Sequence, residues 1–172
     1  MSLLDILQQY AGGTPPPGAD VQAHFDQAAQ QASPQDLAPG IAAAFRSDRT
    51  PPVGQMVGQL FDRSNPQQQA GLLNQLIQAI GPAALSSVAG GALGRILGAG
   101  SGGAASATPT VTPAQAQQVP SQAVAEAVTH AERQDGSIVD KLGAFYAQHP
   151  DLVKGLGAAA LAVALGQMHS QR

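Results

Sequence analysis

Apolar residues in this chain recur at three- and four-residue spacings, and no stretch shows the period-two alternation of a half-buried strand. Between them stand mostly Ala, Gln and Leu, residues that favour helix. The pattern predicts helices near 2–10, 20–31, 34–47, 51–62, 66–80 and 82–98, then near 113–118, 121–134, 138–148 and 150–168. The fold class that follows is all-α, a bundle of short helices that mostly start at proline.

Proline marks those starts at Ser33-Pro34, Thr50-Pro51, Asn65-Pro66, Thr112-Pro113 and His149-Pro150. Its missing N–H is no loss in a first helical turn, and a Ser, Thr or Asn just before it can accept from the exposed amides. Ser2 with Asp5, Ser33 with Asp36 and Ser137 with Asp140 have capping-box spacing. Pro39, inside the third helix, predicts a kink or an early break. In "FRSDRTP", "FDRSNP" and "FYAQHP" a phenylalanine stands in a last helical turn, where its ring can pack over the corner into the next helix. The expected core is Phe25, Phe45, Phe61, Leu73, Leu76, Ile80, Leu93, Val128, Ile138, Leu142, Phe145, Leu156, Leu161 and Leu165.

Residues 11–18, "AGGTPPPG", and 99–111, "AGSGGAASATPTV", are linkers by composition. The chain therefore divides into an N-terminal helical part (1–98), a flexible linker (99–111) and a C-terminal helical part (112–172) that ends in an all-apolar helix. Gly98, Gly100 and Gly103 spell G-x-G-x-x-G, the dinucleotide fingerprint. That fingerprint needs a strand before it, a helix after it and an acid about 20 residues on. Here a helix precedes the glycines and "AASATPTVTP" follows, so the match is a joint and implies no cofactor.

Gly90, Gly94 and Gly98 share one helix face at spacing four, which lets a second helix backbone approach closely. The segment 155–168, "GLGAAALAVALGQM", offers a matching surface, with Ala159 and Val163 in one small row and Ala158, Ala162 and Gly166 in another. It is apolar all round, which places it inside protein or inside lipid. A span of bilayer needs about 20 apolar residues. The 152–168 stretch is shorter and contains Lys154, and 82–98 contains Arg95, which favours a protein core.

Composition narrows the function classes. Aromatics make up 3% of the residues and Trp is absent, so a core must come from close helix approach rather than large side chains. Eight scattered basic residues and a formal charge of −3 give no phosphate-tracking stripe, so no nucleic-acid partner is expected. Without cysteine there is no disulfide, thiolate metal site or thiol catalysis. The start "MSLLDILQQY" lacks the basic region of a secretory signal, which makes the cytoplasm the default and leaves signal-less secretion open. Its leucines and isoleucine form a short amphipathic stretch that closes over its own domain or docks on a partner or membrane surface, and its lack of Lys and Arg argues against anionic lipid. Glu126 and His130 stand one helical turn apart, spacing that suits a hydrogen bond or two metal ligands. The chain has only two glutamates, too few for a carboxylate-bridged metal bundle, so no metal or catalytic residue is assigned.

"MSLLDILQQYAGG", "VAGGALGRILGAGSGG" and "TPAQAQQVPSQAVAEAVTHAE" resemble the small bacterial YidB-like helical proteins. The resemblance implies an all-helical fold and a bacterial origin, and it carries no activity and no site residue. In composition the chain is also similar to harpins, which are glycine-rich, cysteine-free and acidic. The expected role is a non-enzymatic interaction or assembly protein that packs through small-residue helix faces, against a protein partner or a second copy. A membrane-active or secreted factor is the alternative, and an enzyme the least expected class.

Overall fold

The computed structural model describes residues 2–12, 14–81, 91, 94–96 and 110–171. Among these the chain is all-α, with no strand. The helices are α1 (Leu3–Gln9), α2 (Val21–Gln31), α3 (Pro34–Arg46), α4 (Val53–Arg63), α5 (Pro66–Ile80), α6 (Pro113–Ala116), α7 (Ser121–Gln134), α8 (Ile138–Ala147), α9 (Pro150–Val153) and α10 (Ala158–Ser170). A short 3-10 turn, Lys154–Leu156, separates the last two. Most of the predicted 82–98 helix lies outside the described residues.

Local chemistry sets most of the helix starts. Ser2–Asp5, Ser33–Asp36, Asn65–Gln68 and Thr112–Gln115 all close full capping boxes, three of them with proline in the first turn. Two expected starts behave differently. Thr50 Oγ1 lies 2.6 Å from the Ala44 carbonyl and 2.8 Å from that of Ser47, so it finishes α3 rather than opening α4, which begins at Val53. Ser137 gives its hydroxyl to Asp135 (2.7 Å), and Asp140 pairs instead with Arg46 (2.7 Å).

Two further expectations need correction. Helix α3 runs through Pro39 without a break. The amide that proline lacks would have bonded the Gln35 carbonyl, and Gln35 is exposed, so water can satisfy that oxygen. The predicted 150–168 helix is interrupted at Gly157, whose φ of 90° leaves the helical region. Lys154, just before the break, reaches Asp26 Oδ1 on α2 at 2.7 Å and Asp151 Oδ1 at 3.1 Å.

The chain forms two compact units, one of residues 1–52 with 139–172 and one of residues 53–138. Residues 99–109, most of the expected linker, lie outside the described residues.

In the first unit α10 packs along α3 and also meets α1 and α2. Glycine makes the close approaches possible. A Cβ on Gly40 of α3 would stand 2.7 Å from the Ala164 carbonyl oxygen of α10, and one on Gly143 of α8 would stand 2.6 Å from that of Ala38. Ile6, Leu7, Tyr10, Phe25, Ile41, Leu161 and Leu165 are fully buried here. Tyr146 is buried too, with its ring edge-on to Phe45 and Phe145.

In the second unit α4 packs on α7, with Gly54 against Ala125 and Thr129 and Gly58 against Ser121. Met56, Leu60, Phe61, Leu72, Leu73, Leu76, Val124 and Val128 fill its interior.

Of the expected core, Ile80, Phe145 and Leu156 are only half-buried, because Ile77 and Tyr146 hold the inward positions and Leu156 lies in the interrupted segment. Leu93 lies outside the described residues.

Candidate functional site

Three segments distant in sequence meet at one open pocket of about 270 Å³ in the first unit. Ala11 and Gly12 follow the end of α1, Ser47 and Arg49 follow the end of α3, and the third wall is α10, through Val163, Gly166, Gln167 and Ser170. Most lining residues are small, and the exposed lining, rim included, is mostly polar.

Hydrogen bonds fix that rim. Arg49 donates from its backbone N–H to Ser47 Oγ (3.2 Å) and from Nη1 to the Gly12 carbonyl (3.4 Å). Ser170 donates to the Gly166 carbonyl one turn back, at 3.2 Å. Arg49 is the one charged residue among the lining side chains. It stands where α1, α3 and α10 all end, and helix C-termini carry roughly half a negative charge each, so its guanidinium offsets much of what the three bring together. The site thus presents hydroxyl, amide and carbonyl groups among small residues, with the Arg49 guanidinium held at the Gly12 carbonyl.

Beside the pocket, Tyr10 ends α1, and its hydroxyl lies 2.8 Å from His24 Nδ1 on α2. Burial, with the Asp20 carboxylate nearby, raises the Tyr10 phenol above the usual tyrosine range.

The residues expected to form a small-residue face fall in several places. Val163 is half-buried and Gly166 buried, and both line the pocket. Ala162 is buried, while Ala158 and Ala159 are exposed at the start of α10. Gly94 is helical and half-buried, and Gly90 and Gly98 lie outside the described residues. In the second unit, His130 Nε2 sits 2.8 Å from Gln134 Nε2, and Glu126 is exposed. Among the described residues no three His, Cys, Asp or Glu side chains gather in a way that would hold a metal ion, and no helix is long and apolar enough to cross a membrane.

Four pocket residues, Ala11, Gly12, Ser47 and Arg49, carry no sequence signal of a site. "AGG" reads as linker and "RSDR" as a solvated helix end. The periodic small residues of α10 were the legible part. No family model, curated protein or solved structure matches the chain.

Proposed function

We propose that this chain is a non-enzymatic helical interaction protein that seats a side chain of a protein partner in the pocket beside Val163 and Gly166. The observation that carries this reading is the size and make-up of the pocket. At about 270 Å³ and open, it falls just below the roughly 300–1,000 Å³ of small-molecule and cofactor sites. Its small lining residues leave room for an inserted group, and its mostly polar surface offers the partner hydrogen bonds. This moves the contact from a stripe of small residues to one place on α10, since Ala162 and the Gly40–Ala164 approach are used inside the unit itself.

The partner is a protein, either a second copy or another chain. Size exclusion with light scattering over a range of concentrations separates the two. A mass that rises with concentration, and falls back to the monomer in Val163→Phe, which fills the pocket, marks self-association there. A constant monomer rules out a second copy as the occupant. Self-association that Val163→Phe leaves untouched would sink the pocket as the contact.

A further inference from the structure

We propose that α1 is an acid-releasable arm, latched by the Tyr10–His24 hydrogen bond, and that its release takes away one wall of the pocket. The second half of this rests on the docking reading above, because Ala11 and Gly12 line the pocket and follow α1 directly.

Tyr10 has no exposed surface, and its ring stands edge-on to the His24 ring, with centroids 5.8 Å apart. In the neutral tautomer that carries its proton on Nε2, Nδ1 accepts from the phenol O–H at 2.8 Å. A protonated imidazole has donors at both nitrogens. Its Nδ1–H then points at the phenol oxygen, and the phenol's own proton loses its acceptor in a buried place, which opposes the docked state. Histidine is the side chain whose ordinary charge change falls between about pH 5 and 8.

Among the described residues the carboxylates of α1, α2 and α9 have partners of their own. Asp20, the N-cap of α2, whose charge reaches Tyr10, uses one oxygen in its cap to accept from the Ala23 amide. Asp5 on α1 accepts from Ser2. Asp26 on α2 and Asp151 on α9 both hold Lys154, whose segment is tied to α2 by Gln22. On α10, which packs against both α1 and α2, the titratable group among the described residues is His169, itself a base.

The arm is suited to release. It has seven residues, too short to stay helical undocked, and it is anchored by Leu3, Ile6, Leu7 and Tyr10. A proline-rich segment joins it to α2. Undocked, it would expose those four apolar side chains.

Hydrogen–deuterium exchange on the full chain, at neutral pH and near pH 5.5 with intrinsic rates corrected, tests the latch without any partner. Protection of residues 3–10 should drop several-fold on acidification, while α4 and α5 keep theirs. In Tyr10→Phe, which strands no proton, and in His24→Gln, which keeps an acceptor and does not titrate, α1 protection should not depend on pH. Equal wild-type protection at both pH values overturns the latch, and so does an acid-induced drop that persists in His24→Gln. A pocket that binds nothing would remove the docking reading and leave this result standing.

Discussion

Arg46 and Asp140, 94 residues apart in the chain, form a two-pronged ion pair that ties α3 to α8: Nη1 lies 2.7 Å from Oδ1 and Nη2 lies 2.9 Å from Oδ2. The fork matches the carboxylate plane, the strongest geometry such a pair can adopt. Both side chains are about half in solvent, at 47% and 59% exposure, so the pair stabilises by at most about 1 kcal/mol. Asp140→Asn should therefore cost up to about 1 kcal/mol in urea unfolding at neutral pH. Hydrogen bonding from Arg46 holds the Asp140 carboxyl below the usual carboxylate range. A depressed folded value contributes stability above the unfolded value, about pH 3.9, and loses it as the pH falls through the folded one. The gap between wild type and Asp140→Asn should close on that acid side. A gap equally wide at pH 2 would mean the carboxylate does something other than pair with Arg46.

Glycine at the helix crossings should resist even the smallest side chain. Alanine in a helix interior gains roughly 1 kcal/mol over glycine, and overpacking costs roughly 1–3 kcal/mol. At Gly40 and Gly143 the obstacle is a backbone oxygen, at 2.7 and 2.6 Å, which cannot swing aside as a flexible side chain can. Gly40→Ala and Gly143→Ala should each lower stability by up to about 2 kcal/mol net. Gly136, with nothing within 4 Å of its would-be Cβ, is the control, and Gly136→Ala should cost nothing. Thermal unfolding of the three variants side by side decides it, and equal melting temperatures would refute the close-approach account.

Asn74 acts as a two-handed clamp on Val111 in the second unit. Its Oδ1 accepts from the Val111 amide at 2.7 Å, and its Nδ2 donates to the Val111 carbonyl at 3.3 Å. Asn74→Asp keeps the acceptor, removes the donor and sets a charged oxygen against a carbonyl. Losing one partner of a part-buried hydrogen bond costs about 1–3 kcal/mol. The variant should unfold at lower urea at neutral pH and recover part of the loss in acid, where the protonated carboxyl regains a donor. Wild-type stability at neutral pH would show that the clamp is idle.

These contacts show where the sequence is legible. Ser2, Ser33, Asn65 and Thr112 cap as their spacing predicts because both partners lie three residues apart. The same arithmetic fails at Ser137, since Asp140 has a better partner in Arg46, which no local window contains. The break at Gly157 is invisible in an unbroken apolar run, and it comes just after Lys154, which pairs with a distant aspartate, Asp26. Phe145 and Tyr146 differ by one position, 100° around the helix, and periodicity alone put the wrong one inside. Of the pocket, only Val163 and Gly166 were readable; Arg49 and Gly12 become neighbours through folding.

Tyr146 itself offers the sharpest test of the core. It is fully buried against Phe45 and Phe145, and among the described residues its hydroxyl has no hydrogen-bond partner. A buried hydroxyl left unpaired opposes folding by about 1–3 kcal/mol, so Tyr146→Phe, which keeps the ring contacts, should match or exceed the wild type by roughly 1 kcal/mol. Burial also drives the phenol's ionisation far above the usual tyrosine range. A raised folded value gives stability that is fully present below the unfolded value, about pH 10, and lost as the pH rises past it. The wild type should therefore weaken in alkali while Tyr146→Phe is spared this loss, and the gap between them should widen. Urea unfolding at pH 7 and pH 11 reads both effects. If the phenylalanine variant is instead less stable by more than about 1 kcal/mol at pH 7, the hydroxyl has a partner in solution and the core is wetter at α8 than this packing implies.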